Sequence, residues 1–522
     1  MISTSKKISI LGLIMAFGLA TSTAADTLRL RLQEDPESLY NVETTSLTAN
    51  TVMAEFLLER LVYFDANGNA KPWLADGWEL NDAQTELTFT LRDGITFHDG
   101  EPFNAEAVAF HFNSILDPAS ASPNLASMGT LTGVEAVDDL TVVFKFSKPY
   151  APFFVILADA TGGINSPKAV KEAGKDYGRT PVGTGPYKFE QWIPGSEIRM
   201  SRNENYTQFR TDAQNKGAPY ADEVVLSVIS EDGVAQSALE AGELTGSILQ
   251  TDAIATFIDN PDFTTVIDET ATNLVFLEFN FQKPPFDDPK MRRAIGHAIQ
   301  REAAVAAAWD GYASVALSPV ALGIPGFDAD VAAKYGTPYD PEKAKQMLDE
   351  LGWVDSDGDG IRDKDGAPAE FLIKSYAGFT HIQRTLQVVQ ANLLDVGIKA
   401  TLETADWGAF YPSLLEDDWH MDLMRWTSAD AGILTELFRS PGHREKLDPN
   451  PAIDDLLTRC DETVNPDARN ACVSEAQKVL LEFGIAVPIL TNWVVIATQA
   501  DVEGYNIDYM GFLLPGDVKV TN

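Results

Sequence analysis

The sequence predicts an α/β protein of two or three domains, and three observations lead there. Stretches with apolar residues at every second position alternate with stretches at helical spacing, the pattern of a mixed sheet with helical cover. At 522 residues the chain exceeds what one hydrophobic core supports. The stretch Pro181-Val182-Gly183-Thr184-Gly185-Pro186-Tyr187-Lys188-Phe189 reads as a rigid turn that redirects the chain into a strand. Its two glycines are expected to supply backbone conformations closed to other residues, and Pro186 fixes φ. It is not a phosphate cradle, because the P-loop lysine and hydroxyl pair is absent and a proline follows the second glycine.

In chain order, Lys6 and Lys7, the apolar run 8–20 and the small residues Thr23 and Ala25 form an export signal. Cleavage is expected before Asp26, and no cysteine near that site invites lipid attachment. No later apolar run approaches the length of a membrane helix, so no stable membrane insertion is expected. The net charge of −38 becomes −40 once Lys6 and Lys7 are removed, which disfavours nucleic acid and anionic membranes as partners.

Leu28, Leu30 and Leu32 alternate with Thr27, Arg29 and Arg31 in a first strand over 26–33, and a polar loop through Glu34 and Ser38 ends it. A helix is expected over 47–60, a strand running to an Asn67-Gly68 turn, and another strand through Leu87, Phe89 and Leu91. His98 sits beside the Asp99-Gly100 turn with no second histidine or cysteine nearby, which assigns it a structural role. Asn104 caps a helix to Leu116, and Leu140, Val142, Phe144 and Phe146 mark a further strand. A strand over 222–229 and helices over 231–241 and 251–258 follow.

Val275, Leu277, Phe279 and Phe281 share one strand face. Asp288 and Pro289 open a helix expected to run to Asp310-Gly311. Asp340 and Pro341 open another, with Ala344, Met347, Leu348 and Leu351 buried and Gly352 closing it. Asp355, Asp357 and Asp359, with Gly360, match the first half of a calcium loop, but position twelve is Gly366 instead of a glutamate. This loop is either a metal site or a turn.

A strand over 371–375, a helix capped by Thr380, and strands over 398–403 and 421–426 come next. Cys460 and Cys472 flank an Asn465-Pro466 turn between two helices, a spacing that favours a disulfide over free thiols in an exported chain. A strand over 494–498 returns to the first sheet, and 511–520 reads as a tail.

Gly183-Thr184-Gly185-Pro186-Tyr187 resembles the "GTGPY" turn of the family 5 solute-binding proteins of ABC importers, the peptide and nickel binding group. Stretches 57–113, 280–301 and 340–365 resemble the same family in the same order, so the likeness covers nearly the whole chain after residue 25. It implies a two-lobed periplasmic binding protein, type II-like, with a hinge between the lobes. Lobe I would comprise 26–62, 180–272 and 493–522, with 63–179 inserted as a subdomain, and lobe II would be 273–492. The ligand cleft would be lined by Glu34 and Ser38, against the reading that both are loop surface, and by Tyr376, Phe379, Trp407 and Trp426. Trp407 and Phe410 have a second reading as helix-packing residues.

The stretch 425–434 departs from the peptide-binding pattern, because the proline after Asp430 is gone. Asp430 could hold an ammonium group with Trp426 stacked on it, and equally Arg425 could hold a carboxylate or phosphate. The resemblance implies an ABC permease and its ATPase as partners, a monomeric carrier and no cofactor. Oligopeptides or dipeptides lead as ligand, with sugar conjugates, opines and glutathione-like compounds as alternatives. Neither G-x-S-x-G nor H-E-x-x-H occurs, which weighs against a secreted hydrolase. The six histidines show no helical pairing, which weighs against a metal carrier. A scaffold that has lost ligand binding is the third class.

Overall fold

The computed structural model describes residues 26–269, 272–442 and 445–521, so the expected export signal lies outside the described residues. Three sheets organise the chain. A seven-stranded sheet has the order Phe263–Asp268, Val494–Gln499, Gly246–Ile248, Thr27–Leu32, Glu223–Val228, Glu197–Arg202, Tyr187–Ile193. Thr27–Leu32 runs parallel to Glu223–Val228, and Leu28, Leu30 and Leu32 are buried as their alternation requires. A six-stranded sheet has the order Ala313–Val315, Val487–Asn492, Asn273–Phe279, Met421–Thr427, Glu370–Tyr376, Lys399–Ala405. A four-stranded antiparallel sheet from residues 75–146 carries its own core, where Phe89 and Phe112 pack edge to face with Phe144 and Phe153 lies tilted against it.

Two chain segments join the large sheets: residues 269–272 and Trp493. The strands on either side of the two crossings are paired, Asp268 with Val494 and Val275 with Leu490. Asn273 Nδ2 donates to the Asn492 carbonyl at 2.9 Å, and the Asn492 amide donates back to Asn273 Oδ1 at 2.9 Å.

The turn at 181–189 owes its glycines to close approach and not to backbone conformation, since neither has positive φ. A Cβ at Gly183 would lie 2.1 Å from the Leu57 carbonyl oxygen, and one at Gly185 2.6 Å from the Leu57 carbonyl carbon. His98 clasps the same turn. Its Nε2 meets the Gly185 carbonyl at 2.9 Å, and its Nδ1 faces the Gly183 amide at 3.4 Å. Burial lowers its pKa to about 4, so the imidazole is neutral, with Nε2–H donating and Nδ1 accepting.

Four expectations are corrected. The helix expected over 47–60 is an α-helix Leu47–Val52 continued by a π-turn Met53–Leu57. It stops there because the Leu57 carbonyl accepts from the Gly185 amide, while Arg60 turns back to the Ala54 carbonyl. The helix expected from Pro289 to Asp310 is two, Pro289–Ala298 and Arg301–Ala308. Buried Arg301 donates to the carbonyls of Gly296, Ile299, Thr337 and Pro488, taking up oxygens that the break releases. Thr380 is the first residue of its helix and not its cap, since Phe379 occupies the cap position. The segment 511–520 is no loose tail: Phe512, Leu513, Leu514 and Val518 are buried, and the Leu513 amide donates to Glu55 at 2.9 Å. Fully buried Arg210 also needs a counter-charge, which Asp508 supplies at 2.8 Å.

Candidate functional site

Parallel strands place loops at their carboxyl ends, where open α/β sheets form clefts. On the seven-stranded sheet these are the loops after Thr27–Leu32 and Glu223–Val228. Arg31 bonds the carbonyls of Ile229 (2.7 Å) and Ser230 (2.9 Å) and pairs with Asp232 at 2.8 Å. A cavity of about 100 Å³ opens there, lined by Arg31, Asp232, Gln236, Ser247, Gln250 and Asp252 among others. Glu34 is exposed next to it and accepts from Thr48 at 3.3 Å. Ser38 is turned elsewhere: its hydroxyl donates to Glu43 at 3.2 Å and sits 2.1 Å from where a Cβ at Gly178 would be.

The six-stranded sheet carries the remaining candidate residues. Tyr376 packs edge-on against Phe379 and Trp407, with ring centroids 5.7 and 5.4 Å away, and Phe410 lies behind at 5.7 Å. Trp407 is 49% exposed while Phe410 is buried, so of these two only Trp407 offers a face to a ligand. The Arg425 guanidinium lies 5.7 Å from the Phe379 ring centre. Trp426 is half-buried against the core of this lobe. His381 lies tilted against Trp309, ring centroids 4.1 Å apart, and burial together with Arg425 and Arg384 lowers its pKa to about 4. The Asp232 charge at the other sheet opposes that fall.

Asp430 does not stand open to this cleft. Its carboxylate accepts from Arg469 Nη2 at 2.6 Å and from the Gly432 amide at 2.7 Å, and Arg469 Nη1 closes a second contact. Burial alone would raise its pKa, yet Arg469 holds it below the usual carboxylate range. The expected ammonium partner is therefore already matched inside the protein.

Asp355, Asp357 and Asp359 are exposed, with ligand atoms within 4.8 Å of one another. They accept amides of their own loop, Asp355 from Gly358 at 2.8 Å and Asp359 from Ile361 at 2.7 Å, as an acidic turn does. Cys460 and Cys472 form a disulfide between the helices Pro451–Glu462 and Pro466–Phe483. Arg31, Asp232 and His381 escaped the sequence reading. Arg31 carried a signal, as the last cation on the polar face of its strand, whereas His381 carried none.

Residues 69–443 match the sequence profile described as bacterial extracellular solute-binding proteins, family 5 middle. The chain is 26% identical over 475 residues to the glutathione-binding protein GsiB of Salmonella paratyphi A, covering 88% of each. It is 29% identical over 416 residues to the oligopeptide-binding protein AppA of Bacillus subtilis, covering 77% of this chain and 73% of that one. The structure of NikA from Brucella suis in complex with Fe(III)-EDTA superposes with a TM-score of 0.83 at 23% identity, over 95% of this chain and 100% of that one. Among the described residues no helix is long and apolar enough to cross a membrane.

Proposed function

The chain belongs to the bacterial extracellular solute-binding proteins of family 5, and on that premise we propose that it captures a small solute between two lobes and delivers it to an ABC permease. The observation that carries the reading is the pair of large sheets, which the chain joins only after Asp268 and at Trp493, with the Arg31–Asp232 pair at the end of one and the rings of Tyr376, Phe379 and Trp407 on the other. Such a joint lets ligand select a closed state that a permease can recognise. The lobes follow the sequence boundaries: 26–62, 180–272 and 493–522 for the first, 63–179 inserted in it, and 273–492 for the second. Glu34, Tyr376, Phe379, Trp407, Arg425 and Trp426 line the cleft. The relatives named for glutathione and oligopeptides make a short peptide or peptide conjugate the leading ligand, with opines and sugar conjugates as alternatives. The protein works in the periplasm after removal of 1–25, and carries out no covalent chemistry.

Native mass spectrometry of protein purified without refolding tests this. The expected result is an adduct that is lost on unfolding and fragments as a small solute. Turnover of ester or peptide substrates without retention of either would overturn it.

A further inference from the structure

We propose that the cleft selects solutes carrying an oxyanion, a carboxylate or phosphate, held by the Arg425 guanidinium, and does not recognise a free ammonium group. The inference rests on the solute-binding reading. Its first support is the state of Asp430. Both carboxylate oxygens face Arg469, one also accepts the Gly432 amide, and the two side chains are only 11% and 13% exposed. An arriving ammonium would have to displace a guanidinium fork from a largely desolvated carboxylate, leaving Arg469 buried beside Asp461 alone, 3.9 Å away.

The second support is the charge of the wall itself. Among the described residues Arg425 has no carboxylate partner, and its described contact is the Phe379 ring. Arg384, exposed and one helical turn from His381, likewise has no ion pair among the described residues. Of the acids nearby, Asp232 is bound to Arg31 at 2.8 Å, and Asp422 is fully buried where Arg425 is only half-buried. Two arginines therefore face the cleft around a neutral His381, on an aromatic floor. A guanidinium held over a ring presents a planar fork that fits a two-oxygen anion, and closing the cleft strengthens that bond by excluding water. The acidic surface of the chain does not forbid an anion, because charges beyond about 8 Å are screened at physiological salt.

The test is calorimetric titration of four probes: Ala-Phe, N-acetyl-Ala-Phe, Ala-Phe amide and phenyl phosphate. Acetylation removes the ammonium and is expected to leave binding in place. Amidation removes the carboxylate and is expected to weaken it about tenfold or more. Phenyl phosphate binding more tightly than N-acetyl-Ala-Phe would support the inference with phosphate as the group held, and the reverse order would support it with carboxylate. Arg425→Gln should abolish the preference for acid over amide, and Arg425→Lys should retain part of it, at an unchanged melting temperature. If acetylation abolishes binding, if the amide binds as well as the acid, or if Arg425→Gln keeps the preference, the inference falls and the solute-binding reading stands. If none of the four binds, the inference falls, and the solute-binding reading is decided by the adduct that native mass spectrometry recovers.

Discussion

Glu59 lies at 2% exposure under the Trp73 indole, which donates to it at 2.9 Å, and the Tyr206 hydroxyl, at 3.1 Å. Burial raises its pKa from 4.5 to about 7, with those hydrogen bonds opposing the rise. A carboxyl whose folded pKa is raised binds its proton more tightly in the folded state. Its stability contribution is complete below pH 4.5 and is lost as pH rises through about 7. Glu59→Gln should therefore gain on the wild type between pH 5 and 8, by about 3 kcal/mol at most, in denaturant titrations at each pH. A constant difference across that range would contradict the assignment. At the same scale, Trp426→Ala should weaken solute binding about tenfold without unfolding the protein, measured by titration beside a melting curve. Single residues were the least legible part of the sequence. Asp430 looked like a ligand contact because its partner Arg469 is 39 residues away, and no local pattern announces that pair.

The organising turn shows what an element adds to its residues. Its glycines are legible as necessary, but the reason is the Leu57 backbone more than a hundred residues earlier, which only the folded chain brings close. Gly185→Ala should cost more than about 2 kcal/mol, since backbone cannot move aside as a side chain can. His98→Ala should cost about 2 kcal/mol through two lost hydrogen bonds, with the cleft intact and binding retained. Strands were read well because a half-buried sheet stamps a period of two on the sequence. The helix break at Ile299 was not, because Arg301 is recruited there by carbonyls of Thr337 and Pro488. Reducing the Cys460–Cys472 bond, which closes a short loop, should lower stability by about 3 kcal/mol and leave binding unchanged in denaturation and titration experiments.

For the whole molecule, the two lobes depend on pairings no local pattern encodes. Val494–Gln499 lies between Phe263–Asp268 and Gly246–Ile248, so the chain finishes the first sheet only after building the second. That topology was legible through resemblance to a family, whereas alternation and length indicated only an α/β chain of several domains. The inserted segment also reaches the second lobe, where the Ala151 amide donates to the Asp461 carbonyl at 2.8 Å, and Tyr509 near the C-terminus donates to Gly323 at 2.6 Å. The closure proposed above would pivot within these contacts, about the paired Asn273 and Asn492. The central claim is that solute closes this joint, and small-angle scattering with and without the solute recovered from the purified protein tests it most directly. The account predicts a smaller radius of gyration when solute is bound, and Asn273→Ala should alter the size of that change. An identical scattering profile in the two states would contradict capture by closure.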